Sequence, residues 1–349
     1  MQKNRVNLKD VAKVAGVSVA TVSRVLNNQT SIHDKTRTKV IQAINQLGYE
    51  PNRVAQRLRT ESTQIFGLIL SDVTNPFFTA VVQGIEKVTY DHNYSLLLCN
   101  SDEQPEREEL YVRLLLAEKV AGVIVSPTNE DSTSYAPLIQ NEIPVVAIDR
   151  RLRNFAVDTI VTDNFKGAYA AVSLLIQLGH QRIALISGPS SVTTGFERQE
   201  GYIAAMREHG LPISSDLIKE SDFKQEGGYR AAIELLSLKE RPTAFFVANN
   251  LMTLGALSAI HQRGLSIPED VALVGFDDMP WATALNPPLT AVYQPTQIMG
   301  RIAAEMLLAR IADPKRPVQE IKLEPTLIIR ESCGSKAKHF SLKPNSERP

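Results

Sequence analysis

Within ten residues, Ser18, Thr21, Ser23, Arg24 and Asn27 place short hydroxyls, a guanidinium group and an amide on one stretch of chain, directly behind the turn Gly16-Val17. Hydroxyls and amides of that reach suit phosphate oxygens, and a guanidinium grips the O6/N7 edge of guanine, so the chemistry is nucleic-acid contact. The charge distribution agrees. The first sixty residues hold eleven Lys and Arg against three Asp and Glu, whereas the whole chain carries 38 of each, which leaves the remainder net acidic by eight.

A second group of candidates lies in that acidic remainder. Asp72-Val73-Thr74-Asn75-Pro76-Phe77-Phe78, Asp149-Arg150, Asn249-Asn250 and Asp277-Asp278 each follow a short apolar run, and a further loop ends in Phe196-Glu197-Arg198. Convergent carboxylates, guanidinium groups, amides and aromatic faces suit a sugar, whose hydroxyls need donors and acceptors while its C–H face stacks on rings. Bond-making chemistry finds no such support. Six His are scattered, no Gly-x-x-x-x-Gly-Lys-Ser/Thr or Gly-x-Ser-x-Gly run is present, and Cys99 and Cys333 have neither metal-ligand nor disulfide spacing. The reading is a non-enzyme without cofactor or metal.

The elements that must position these groups can be read from periodicity. Leu8, Val11, Ala12 and Ala15 fall at helical spacing and Gly16 ends that helix; Ser18 can cap the next, with Val22, Val25 and Leu26 inward and Val19, Ala20, Ser23, Arg24 and Asn27 outward. A third helix runs from Asp34 or Lys35 to Leu47, stops at Gly48, and is expected to bury Val40, Ile41, Ile44 and Leu47. Residues 51 to 59 are basic and carry Ala55 and Leu58 three apart, too little apolar surface for an isolated helix in water. Beyond Thr60, strands alternate with helices: Ile65–Ser71, Ser95–Cys99, Gly122–Ser126, Val145–Asp149, Thr159–Thr162, Ile183–Ser187, Ala244–Ala248 and Val271–Gly275, separated by stretches such as Phe77–Asp91 and Gly195–His209. That alternation means parallel sheets with helices on both faces, and the series is long enough for two doubly wound subdomains. Ligands of such sheets bind at the carboxyl ends of the strands, where the second candidate group stands.

Leu8 through Asn27, LKDVAKVAGVSVATVSRVLN, resembles the DNA-binding signature of the LacI/GalR family of bacterial transcription regulators, and Tyr49–Leu58, YEPNRVAQRL, is similar to that family's hinge helix. The likeness extends through most of the body to Glu331. It implies an N-terminal helix-turn-helix head on an α/β body with the periplasmic-binding-protein-like fold. By this resemblance Val19, Ala20 and Arg24 enter the major groove, and Ser18, Thr21, Ser23 and Asn27 contact phosphates. Asn52, Ala55 and Leu58 belong to the hinge contact, with Leu58 as an apolar wedge in the minor groove. Leu58 has the alternative of a linker leucine touching the body.

The same resemblance carries over Asn75, Phe77, Phe78, Arg150, Arg198, Phe223, Asn249 and Asp277 as effector contacts. Ordinary alternatives stand beside them. Phe77, Phe78 and Phe223 suit plain packing, Asp277 or Asp278 suits a turn cap before Pro280, and Arg150 beside Arg151 and Arg153 suits a solvated loop. Arg198 reads as a lone Arg in a glycine-flanked loop facing a carboxylate. Purine-binding relatives present a tryptophan where this chain has Arg150, which favours a sugar or sugar acid over a base.

The domain plan expected is a head at 1–50, a hinge at 51–61, a body at 62–331 and a polar tail at 332–349. Within the body, one subdomain takes about 62–158 plus 291–323 and the other about 159–290 plus 324–331, with Thr290–Gln294 and Ile321–Leu327 crossing between lobes. A free-standing sugar-binding transport component accounts for the body but not for the basic head, and Met1–Arg5 leads into a polar helix instead of a secretory core. The expected protein is a cytoplasmic repressor of carbohydrate genes, without a membrane segment. Its partners are pseudo-palindromic operator DNA and a sugar or sugar-acid effector; it acts as a homodimer, the tail lacking apolar heptads.

Overall fold

The computed structural model describes residues 6–26, 32–49 and 63–334. Two compact units divide the chain between Thr63 and Gln64.

In the first unit, α1 (Leu8–Ala15), α2 (Val19–Leu26) and α3 (Asp34–Leu47) share one small core. Asn7 opens α1 through a capping box, its carboxamide oxygen accepting from the Lys9 and Asp10 N–H groups while the Asp10 carboxylate accepts from the Asn7 N–H. Gly16 closes α1 at φ 66°, a left-handed conformation that glycine adopts without penalty. Val11, Ala12, Ala15, Val22, Val25 and Val40 are buried, as the spacing predicts. Ile41 is not: it is 47% exposed, and Ala43 and Tyr49 take its place in the core. One step round a helix from Val40 is about 100° of turn, enough to carry a side chain from the packed face to the solvent.

The second unit contains two six-stranded sheets. The first has the order β11-β5-β4-β3-β1-β2, built from β1 (Ile65–Leu70), β2 (Ser95–Asn100), β3 (Gly122–Val125), β4 (Val145–Ile148), β5 (Asp158–Thr162) and β11 (Glu320–Leu323), with every pairing parallel. The second has the order β12-β10-β9-β8-β6-β7, from β6 (Ile183–Ser187), β7 (Ile218–Glu220), β8 (Ala244–Val247), β9 (Ala272–Phe276), β10 (Thr290–Tyr293) and β12 (Thr326–Ile328), parallel except for β10 with β12. The helices α4 (Pro76–Asp91), α5 (Pro105–Ala117), α6 (Ala136–Gln140) and α11 (Thr296–Ala312) serve the first sheet. The second is served by α7 (Asn164–Gln177), α8 (Thr193–Glu208), α9 (Gln225–Leu236) and α10 (Asn250–Gln262).

Strand alternation decides which helix each residue meets. In β1, Phe66, Leu68 and Leu70 pack into the cluster that includes Phe78, Val81 and Met299, while Ile69 faces the opposite cluster with Val112 and Leu115. Gly67 lies on that second face because a Cβ there would come within 2.6 Å of the Leu115 side chain. Helix α11 lies directly on α4, backbone against backbone: a Cβ on Gly84 would strike the Gln297 carbonyl, and one on Gly300 the Val81 carbonyl.

The structure sharpens the expected elements at four places. Thr159–Thr162 closes the first sheet instead of opening the second, because β5 pairs with β4 in the register Val146↔Asp158. Thr290–Tyr293 belongs to the second sheet, held in parallel by β9, and the crossing expected of Thr290–Gln294 falls at its last residue, Gln294. The run Ile321–Leu327 crosses between the lobes as expected, as two strands, one in each sheet, separated by Glu324-Pro325. Lastly, β7, α6 and α11 are elements that the periodicity did not reveal.

The chain therefore passes between the sheets at Asp163, at Gln294-Pro295 and at Glu324-Pro325. The connection from α11 into β11 is anchored by Arg310 of α11, which donates from Nε and Nη2 to the fully buried Asp158 carboxylate at 3.0 Å each, while the Gln319 N–H donates to the same carboxylate. Among the described residues, no helix is long and apolar enough to cross a membrane.

Candidate functional site

Helix α2 carries the first candidate site. Burial of Val22 and Val25 turns Val19, Ala20 and Arg24 outward, and Val19 is 41% exposed. The Ser18 hydroxyl accepts from the Thr21 N–H at 3.1 Å and shares a 2.9 Å hydrogen bond with the Thr21 hydroxyl. Ser18 thus caps α2 while both side chains remain at the surface or partly so; Ser23 is half-buried beside them. Lys9, Lys13, Arg24, Lys35, Arg37 and Lys39 stand against Asp10 and Asp34 on the described part of this unit. Asn27, Asn52, Ala55 and Leu58 lie outside the described residues.

The second candidate site is a narrow cleft between the two sheets of the body. It is lined by Asn75, Phe77, Phe78, Arg150, Arg198, Phe223, Asn249 and Asp277, so the structure brings all eight expected positions together, by Asp72 and Asp149 of the candidate strand-end segments, and by Glu103, Thr194 and Gln294, which the sequence did not single out. Most stand just beyond a strand: Asp72 and Asn75 after β1, Glu103 after β2, Asp149 and Arg150 after β4, Phe223 after β7, Asn249 after β8, Asp277 after β9 and Gln294 after β10. Glu103, Asp149, Phe223 and Asp277 have φ of 58°, 65°, 60° and 71°, a conformation that costs a side-chain-bearing residue energy and concentrates at ligand sites.

The polar groups are held firmly. Arg150, 3% exposed, donates from Nη1 and Nη2 to Glu103 at 2.8 and 2.6 Å and from Nη1 to the Pro127 carbonyl at 3.0 Å, and its guanidinium lies 5.5 Å from the Phe223 ring centroid. It is no solvated loop residue. Arg198 sits on α8, not in a loop: its Nε donates to Asn164 at 2.8 Å, Nη1 donates to the Ala248 carbonyl at 2.5 Å, and the guanidinium lies 3.8 Å from the Phe276 ring centroid. Asp277 accepts from Gln294 Nε2 and from the Asn250 N–H, while its neighbour Asp278 points elsewhere and pairs with Arg330 through both oxygens. Asn249 caps α10 by accepting from Met252 N–H and fixes Phe223 by donating to its carbonyl, so it positions the aromatic ring. Phe77 and Phe78 meet edge to face at 5.0 Å and are core residues as well as lining.

Burial shifts the acids. It pushes the Asp149 carboxyl up to about 6 against the attraction of Arg150 and Arg198, and raises Asp277 as well. Burial also raises Asp72, but hydrogen bonds from Lys224 and Thr74 outweigh it and leave that carboxyl below its usual range. The Asp149 carboxylate accepts no hydrogen bond among the described residues; the nearest cation is Arg150 Nε at 3.9 Å.

Contacts cross the cleft mouth. Lys224 of the second lobe donates to Asp72 at 2.7 Å and to Asp102 at 2.8 Å in the first. Asn250 Nδ2 donates to Asn75 at 2.8 Å, Arg151 to Glu197 at 2.9 Å, and the backbone N–H and hydroxyl of Thr193 both donate to the buried Glu130. Asp72, Asp149, Glu103 and Gln294 share one signal available in the sequence, a polar residue within three positions of a strand's carboxyl end; Thr194, on the first turn of α8, has none.

Two family profiles match the chain, bacterial regulatory proteins of the lacI family over residues 7–52, and periplasmic binding proteins and sugar binding domain of LacI family over residues 63–331. The HTH-type transcriptional repressor PurR of Edwardsiella ictaluri is 37% identical over 330 residues, covering 94% of this chain and 96% of that protein. Among solved structures, a transcriptional regulator CelR–cellobiose complex superposes with a TM-score of 0.72 at 33% identity, covering 94% of this chain and 100% of that one. The lac repressor dimer bound to operator and the anti-inducer ONPF superposes with a TM-score of 0.82 at 29% identity, covering 95% and 99%.

Proposed function

The chain belongs to the LacI family of bacterial regulatory proteins and is a DNA-binding transcriptional repressor, not an enzyme; from that premise we propose that a small sugar or sugar acid held in the body's cleft controls its grip on operator DNA. The genes governed are those of carbohydrate use, and the working unit is a homodimer on a pseudo-palindromic site, as the operator-bound lac repressor is a dimer. Val19, Ala20 and Arg24 read the major groove, Ser18, Thr21, Ser23 and Asn27 hold phosphates, and Asn52, Ala55 and Leu58 contact the DNA from the hinge.

One observation carries the effector reading. The cleft sets hydroxyl acceptors, the Asp149 and Asp277 carboxylates, beside the Arg198 donors and the Phe77, Phe78 and Phe223 rings. Those groups match alternating hydroxyls and C–H faces, and the related CelR structure holds cellobiose. The PurR relatives by name make a purine the competing effector, and the hydroxyl-accepting pair Asp149 and Asp277 favours the sugar. The effector shifts operator affinity by the difference in its own affinity for the DNA-competent and DNA-incompetent states.

The test is a gel shift with duplex fragments and a sugar panel, on the full chain and on Asp277→Ala. The full chain selects particular fragments and responds to a sugar; Asp277→Ala keeps the fragment preference and loses the response. A sugar response unchanged in Asp277→Ala removes the aspartate from the site, and a response to purine bases alone removes the sugar.

A further inference from the structure

Four carboxylates, those of Asp72, Glu103, Asp149 and Asp277, face two guanidinium groups in the cleft lining, and the rim cation Lys224 is already shared between Asp72 and Asp102. Both terminal nitrogens of Arg150 are taken by Glu103, in the bidentate geometry that guanidinium otherwise offers to a ligand's carboxylate or phosphate. Its Nε has no hydrogen-bond partner but faces Asp149 at 3.9 Å. Arg198 spends Nε and Nη1 on Asn164 and Ala248, and the Asp277 and Asp149 carboxylates attract its guanidinium.

We propose that the Glu103–Arg150 pair makes this cleft selective for an uncharged polyhydroxyl ligand, Glu103 being the specificity residue that withholds Arg150 from anionic sugars. This rests on the sugar reading above and narrows it. A neutral sugar donates hydroxyl hydrogens to Asp149 and Asp277 and accepts from Arg198, satisfying groups that the protein leaves open. A sugar acid or sugar phosphate brings a further negative charge beside the two buried carboxylates, Asp149 and Asp277, that already compete for Arg198, while Glu103 occupies Arg150. The backbone supports a dedicated role: Glu103 holds φ 58° and its neighbour Asp102 φ 52°, so the chain after β2 adopts a costly conformation in the segment that delivers this carboxylate to Arg150.

The experiment is calorimetric titration and thermal shift of the full chain against matched probes: D-ribose, D-xylose, D-glucose and D-galactose, each beside its aldonic acid and its phosphate ester. The expected result is that a neutral sugar binds at least about tenfold more tightly than its own charged derivatives, since desolvated like charges disfavour the latter. Glu103→Gln should strengthen the charged derivative relative to its neutral parent by about tenfold or more. Glu103→Gln with Arg150→Gln, which removes the pair together, should show no such gain. A charged derivative that binds the unmodified chain as tightly as its neutral parent overturns the proposal, with no variant needed. So does a Glu103→Gln protein that still binds the neutral sugar but gains nothing for the anion. Silence of the whole panel overturns the sugar reading itself, and this inference with it.

Discussion

The head and the cleft draw on the same small set of polar groups and handle them in opposite ways. On α2, Ser18, Val19, Ala20 and Arg24 stand at the surface, held only by the burial of Val22 and Val25 on the other side of the helix. In the cleft, Asp149, Arg150, Arg198 and Asp277 are 7%, 3%, 3% and 5% exposed, all but Asp149 tied by hydrogen bonds to other groups, and Asp149 and Asp277 stand on strained backbone. The surface set is inexpensive to build and acquires its energy when a partner arrives. The buried set costs desolvation in advance, so it is stable only as a group, and removing one member exposes the cost carried by the rest.

The comparison can be broken by measurement. Arg310→Ala leaves Asp158 buried without its guanidinium, and a urea melt should show a loss of about 3–5 kcal/mol; a loss under about 1 kcal/mol would show that buried pairs in this body are no costlier than surface ones. Asp149 gives a gentler test. Its folded-state carboxyl, pushed up to about 6 from 3.8, binds a proton more readily than the unfolded one, so between those values stability should fall as pH rises, by on the order of 2 kcal/mol. Asp149→Asn should remove that part of the slope, and a profile identical to the parent's would deny Asp149 the role. Arg24→Ala should weaken binding to the preferred duplex by about 1–3 kcal/mol, mainly at one base pair, with thermal stability unchanged. Uniform weakening on every sequence would make Arg24 a phosphate contact. The smallest effect sharpens the contrast from the head's side: Gly16→Ala forces a Cβ into a left-handed turn and should lower protection of α1 and α2 amides in hydrogen exchange by about 1 kcal/mol, leaving the cleft untouched.

The contrast also explains what could be read from the chain alone. Helices packed on one face only, such as α1 and α2, show their inward residues as a stripe, and the strands of the body show as apolar runs with polar residues beyond their ends. Ile41 was misplaced because Val40, Ile41 and Ile44 all fit a stripe to within one step, and only packing against α1 selects Ala43. Helix α11 buries Met299, Gly300, Ala303, Ala304, Met306 and Leu307 in a groove between α4 and the first sheet, so its apolar residues spread round the axis and no stripe remains. Strand β7 is three residues long on a sheet edge and is too short for periodicity to register. The sheet membership of β5 and β10 depends on which neighbour supplies the hydrogen bonds, which no local pattern encodes. Glu103 stands three positions beyond a strand end, a local signal, but its pairing with Arg150, forty-seven positions away, is not encoded locally.

Three passages of one or two residues join the lobes, at Asp163, Gln294-Pro295 and Glu324-Pro325, and two of them contain a proline whose ring fixes one torsion. Short tethers at three places suppress sliding and stretching, and they leave swinging about a common axis as the soft coordinate. Opening then reduces to a single angle. One pair of spectroscopic labels set on opposite banks of the mouth is enough to follow that angle from empty to filled, and the readings fall on one curve whatever molecule does the filling.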